Sequence, residues 1–68
     1  MKAFYDKEAD AAYIYLKGRI QKGEVKKTVH LNGNVLLDFD LEKKLIGIEI
    51  LSASQIIHKK TVAAMQTR

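Results

Sequence analysis

The chain has no cysteine, no proline and no tryptophan, and few aromatic residues. Without cysteine there can be neither a disulfide nor a thiolate metal site. Without proline, cis-proline turns and proline-kinked helices drop out. The two histidines, His30 and His58, stand far apart and make a poor zinc set. No apolar run approaches the roughly 20 residues that a membrane-spanning helix needs. Residues 1–6 lack the uninterrupted apolar core of a signal peptide. There is no phosphate-binding loop or dinucleotide fingerprint. These absences lead to the expectation of a cytoplasmic protein without a cofactor.

What is present fits one small globular domain spanning residues 1–68. Hydrophobic residues make up 47% and charged residues 29%, an ordinary globular balance. A domain this small buries only about 60% of the surface its unfolded chain exposes. With disulfides and metal excluded, association with another chain is the expected source of extra stability. The formal net charge is +4. Scattered lysines more readily signify a solvated surface than a nucleic-acid footprint.

Local patterns predict an α+β fold: a small antiparallel meander of four to five strands with a short C-terminal α-helix. Phe4 and Tyr5 suggest a first strand. Residues 6–10 form a polar connection whose aspartates suit side-chain-to-backbone turn bonds. Residues 12–16 read as a second strand, with Ala12, Ile14 and Leu16 on one face and Tyr13 and Tyr15 on the other. Residues 24–31 alternate as a third strand. Asn32-Gly33 predicts a type I′ hairpin turn, which needs positive φ at both central residues. It leads into residues 35–39, where Val35, Leu37 and Phe39 share a face. The fifth strand, residues 45–51, carries Ile46, Ile48 and Ile50 on one apolar face that must be buried. Gly47 there suggests a bulge or a close approach.

Ser52 and Gln55 have capping-box spacing, and Leu51 and Ile56 have that of a hydrophobic staple. A helix follows from Ala53, its extent beyond Lys60 left open. Residues 66–68 are expected to be a disordered tail.

Three stretches occur in order over most of the chain. They are Tyr5-Asp6-Lys7-Glu8-Ala9-Asp10-Ala11-Ala12-Tyr13-Ile14, then Val35-Leu36-Leu37-Asp38-Phe39-Asp40, then Leu45-Ile46-Gly47-Ile48-Glu49-Ile50-Leu51-Ser52-Ala53-Ser54. Together they resemble the domain of unknown function 2283 family of short bacterial and archaeal proteins. The resemblance implies a β-meander followed by a helix. It transfers no activity, although some members look like partners of small toxin-like proteins, which hints at an antitoxin role. The chain departs from the pattern at Ala12, where a larger apolar residue is usual. It departs again at Glu42-Lys43-Lys44, which lacks the usual Asp-Gly, and in its longer C-terminal segment.

Candidate sites are few. Asp6, Glu8 and Asp10 lack calcium-loop spacing and are better read as shaping a loop. Asp38, Asp40 and Glu49 are candidate paired carboxylates, and Asp38 and Glu49 can approach each other if the fourth and fifth strands pair. Catalysis also needs a pocket and perturbed pKa values, and the aspartates are better read as supporting the turn. His30 and His58 have no nucleophile beside them in a recognised motif. Tyr13 and Tyr15 suit base stacking, a second chain, or packing under the helix. With Ile46, Ile48 and Ile50 they are the expected interface. Lys26, Lys27, Lys43, Lys44, Lys59 and Lys60 form three basic pairs, able to contact phosphates if they converge.

The sequence thus favours a non-enzymatic interaction module, self-associating as a homodimer or bound to a small protein partner. It ranks below that a nucleic-acid-binding, antitoxin-like regulator, and last a small enzyme with its site at a subunit boundary.

Overall fold

The isoleucine-rich stretch becomes β5 (Leu45–Leu51), one of the two central strands of a six-stranded sheet, in a computed structural model that describes all of Met1–Arg68. The other strands are β1 (Lys2–Asp6), β2 (Ala11–Tyr15), β3 (Lys27–His30), β4 (Val35–Phe39) and β6 (Gln66–Thr67). Their order across the sheet is β3-β4-β5-β2-β1-β6. The expected meander therefore holds for β3-β4-β5 and for the β1-β2 hairpin. The two pieces join through antiparallel pairing of β2 with β5, not β2 with β3. Residues 16–26 make the long connection, closed by backbone bonds from Leu16 and Lys17 to the Ile46 carbonyl and by the Lys17–Glu24 ion pair.

Two expectations are corrected here. The sheet has six strands rather than four to five, and it is mixed, because β6 runs parallel to β1. The residues read as a disordered tail supply that strand. Gln66 and Thr67 pair with Phe4 and Tyr5, and the Arg68 N–H donates to the Tyr5 carbonyl at 2.9 Å. An unpaired β1 edge offers these backbone groups a partner, which local composition at residues 66–68 does not reveal.

The single predicted helix is two short ones, α1 (Ala53–Ile56) and α2 (Lys59–Ala64), separated by extended backbone at Ile57. Ser52 does not cap α1 through its side chain; it is left-handed, with φ 53. Asp10 does the capping from across the fold. Its carbonyl accepts the Ala53 N–H, and its carboxylate accepts the Ser54 N–H and hydroxyl at 3.0 and 2.7 Å. The supposed staple is not closed either, since Leu51 and Ile56 are both exposed.

The hairpin at Asn32-Gly33 forms, but not as a type I′ turn, since neither residue has positive φ. The Asn32 side chain instead accepts the backbone N–H groups of Asn34 and Val35, at 2.8 and 3.0 Å. An Asn side chain competes in this way for nearby backbone donors.

Alternation along paired strands sorts the side chains into two faces. One carries Ala3, Ala12, Ile14, Val29, Val35, Leu37, Ile48 and Ile50. The helices pack on its β2 side, where Ala12 and Ala53 are almost fully enclosed. A larger residue at position 12 would stand where α1 approaches, which accounts for the alanine. No substantial contact joins either helix to β3 or β4. Only four of the 68 residues are buried, and no large side chain is fully enclosed. No helix is long and apolar enough to cross a membrane.

Candidate functional site

The face turned away from the helices brings Tyr13, Tyr15, Asp38 and Glu49 together. Register pairs Tyr13 with Glu49, and Gly47 with both Tyr15 and Asp38. The Tyr13 hydroxyl donates to Asp38 Oδ2 at 2.6 Å, while the Thr28 hydroxyl donates to Asp38 Oδ1 at 2.7 Å. Gly47 leaves room for this. A Cβ there would fall 2.7 Å from Tyr13 Cζ and would collide with its hydroxyl oxygen. The bulge that glycine suggests is present beside it: Asp38 pairs with Gly47 and Phe39 with Leu45, so Ile46 is the extra residue on β5.

Burial pushes the Tyr13 phenol well above its ordinary pKa of 10.0. The hydrogen bond to anionic Asp38, and the nearby Asp38, Tyr15 and Glu49 charges, push the same way. Tyr13 is therefore a neutral, fixed donor at ordinary pH.

Beside it lies a cavity of about 300 Å³, lined by Phe4, Asp6, Ala11, Ala12, Tyr13, Tyr15, Ile20, Glu49 and Arg68. Tyr15 meets Phe4 edge-on, with ring centroids 5.6 Å apart, and Tyr13 at 4.7 Å. The Arg68 guanidinium sits 4.4 Å from the Phe4 centroid and donates to the Tyr15 hydroxyl at 2.7 Å. Phe4, Ile20 and Arg68 carry no local signal that marks them. Arg68 lies 53 residues from Tyr15 in sequence.

The five expected interface residues do not form one surface. Tyr13 and Tyr15 face away from the helices, so they do not pack beneath them; Ile48 and Ile50 are on the opposite face, and Ile46 is buried within the chain. The basic pairs divide as well. Lys27 and Lys43 line one hollow with Val29, Phe39 and Asp40, bringing two pairs to the same end of the sheet. Lys59 and Lys60 open α2, which follows the opposite end of β5. His30 and His58 are exposed and outside the cavity.

Asp6 accepts the backbone N–H groups of Glu8 and Ala9, and Asp10 accepts the Tyr5 hydroxyl at 2.7 Å. Both act on the β1-β2 loop and its neighbours. No group of three His, Asp or Glu side chains comes together to hold a metal ion.

Residues 2–54 match the family model described as "Protein of unknown function (DUF2283)". The chain belongs to this family. The DUF2283 match runs from β1 into α1 and includes Tyr13, Asp38, Gly47 and Glu49, whereas α2, β6 and Arg68 lie beyond it. An uncharacterized protein of Methanocaldococcus jannaschii is 38% identical over 58 residues, covering 85% of this chain and 46% of that protein. This DUF2283 chain thus spans about half the length of that curated relative. No solved structure matches it.

Proposed function

We propose that the chain is a non-enzymatic interaction module that forms a homodimer through the helix-free part of its apolar sheet face. The observation that carries this reading is the half-buried strip formed by Val29, Val35, Leu37, Phe39 and Ile48, on strands that make no substantial contact with either helix. Leu31 extends it at the β3 edge, 66% exposed. Lys27, paired with Phe39, is the charge on this face, and with Lys43 and Asp40 it borders one end of the strip, leaving the middle apolar. A second copy offers the same apolar residues, and a two-fold axis sets like against like. A stable dimer needs roughly 800 Å² from each partner. The longer dimensions of the molecule, 34 by 24 Å, bound the whole sheet face at about that scale, and the strip supplies the helix-free part of it. Burial there also compensates for the small internal core.

Light scattering over a range of concentrations tests the reading. A mass twice that of the chain, falling on dilution, is the expected outcome. A monomer at high concentration overturns the dimer, and co-purification of that monomer with a small protein would replace the second copy by that partner.

The second reading, a nucleic-acid-binding antitoxin-like regulator, draws on Lys26, Lys27, Lys43 and Lys44 at one end of the sheet. Phosphate contact there would weaken steeply with salt. A mobility-shift assay at two salt concentrations checks it, and no shift at low salt removes it.

A further inference from the structure

The cavity on the tyrosine face has the lining of a cation site. Phe4 and Tyr15 meet nearly perpendicular, at 89°, so each presents a π surface or edge to the space between them. Asp6 and Glu49 add two carboxylates, and Glu49 has no ion-pair partner. The chain's own Arg68 guanidinium fills part of the space, 4.4 Å from the Phe4 centroid and 5.5 Å from that of Tyr15. Such placement over aromatic faces is attractive for a guanidinium.

The backbone that brings Arg68 there is held weakly. Strand β6 is two residues long, exposed, and pairs only with β1. Sheet edges of this kind accept an extended segment from another chain, with backbone bonds giving affinity and a side-chain pocket giving choice.

We propose that the β1 edge and this cavity form a binding site for an extended, arginine-bearing segment of a partner protein, and that residues 66–68 occupy it at rest. The chain's own segment is the template. Gln66 and Thr67 lie in register with Phe4 and Tyr5, the Arg68 N–H bonds the Tyr5 carbonyl, and the guanidinium enters the aromatic cavity. The site is on the face opposite the proposed dimer strip and does not depend on it.

The test uses the full chain carrying Arg68→Ala, titrated by two-dimensional NMR with acetyl-Met-Gln-Thr-Arg-amide. The same peptide with citrulline, isosteric but uncharged, is the comparison. Saturable shifts at the Phe4 and Tyr15 rings are expected, about tenfold tighter than for the unsubstituted chain, where Arg68 competes. The citrulline peptide is expected to bind about tenfold more weakly, and Glu49→Gln in the same background to weaken the arginine peptide several-fold. No saturable shift in the folded variant, or equal response to both peptides, overturns the proposal. Should Arg68→Ala unfold the chain, the unsubstituted protein decides. Ring currents must move the Arg68 side-chain protons upfield, and Phe4→Leu must reduce that shift to the part due to Tyr15. Arg68 resonances at free-peptide positions overturn the proposal.

Discussion

Tyr13 hydrogen-bonds Asp38 from two strands away, across the bare backbone of Gly47. The glycine and the tyrosine therefore act as a pair. Gly47→Ala sets a methyl against the phenol ring, so the ring must move and its bond to Asp38 breaks. The expected cost is about 1–3 kcal/mol from overpacking, read as a lower urea midpoint. In the Tyr13→Phe background the same alanine should cost less, because the hydroxyl that collides with it is gone.

Tyr13→Phe alone should cost about 1–3 kcal/mol, as the lost bond is to a charged acceptor. The pH dependence has a definite sign. The folded-state pKa of Tyr13 lies above its ordinary 10.0, so the stabilisation is complete below pH 10 and is lost as pH rises above that. The gap between wild type and Tyr13→Phe in urea melts should therefore narrow between pH 8 and pH 11. A constant gap would contradict a buried neutral phenol.

Much of this face was within reach of the sequence, and the rest was not, for a reason of distance. Alternation around Tyr13, Asp38 and Glu49 predicts which side chains share a face once the strands pair. The pairing of β2 with β5 is long-range, and nothing near Tyr13 announces it. The same limit explains the helix cap. Ser52 and Gln55 have suitable spacing, yet the carboxylate that bonds Ser54 is 44 residues away, at Asp10. At Asn32-Gly33 the hairpin was legible but its turn type was not, because the Asn32 side chain captured two backbone donors.

Asp10 links the β1-β2 loop to α1, and its bonds from Tyr5 and Ser54 hold its carboxyl below the ordinary 3.8. A lowered folded-state pKa contributes stability above the ordinary value and loses it as pH falls through the folded one. Asn suits the left-handed backbone at this position, φ 50, but its NH2, standing where Oδ2 accepts the Ser54 hydroxyl, can only donate, and the charge is lost. Asp10→Asn should lower the thermal midpoint at pH 7. The difference from wild type should shrink as pH drops below about 3.8, as followed by circular dichroism.

Lys43 supplies the left-handed residue of the turn between β4 and β5. It takes φ 66 itself, while Asp40 Oδ1 accepts the Glu42 and Lys44 N–H groups, both at 2.9 Å. Left-handed backbone costs a lysine roughly 1–2 kcal/mol. Glycine relieves this but has more freedom to lose on folding, about 0.5–1 kcal/mol. Lys43→Gly should therefore stabilise the chain by up to about 1 kcal/mol, a rise of up to roughly 4–8 °C in Tm. A fall in Tm would mean that the lysine side chain contributes more at this turn than its backbone strain costs.

Leu37 is the residue on which the dimer reading turns. It lies mid-strip between Val29 and Ile48 in the sheet register and is only half-buried. Leu37→Lys would set an ammonium group against its symmetry mate or against apolar side chains, and an unpaired charge at the centre of an interface is expensive. Association should weaken at least about tenfold, seen by light scattering as the mass of one chain at concentrations where the wild type is doubled. The variant monomer should keep its circular dichroism spectrum, since the lysine can point to water once the partner is gone. His30→Lys is the control. It lies next to Val29 on β3 but on the tyrosine face, so it adds the same charge away from the strip. It should leave the mass unchanged. If both variants dissociate alike, general charge repulsion rather than the apolar strip is responsible. If neither does, the two chains meet elsewhere.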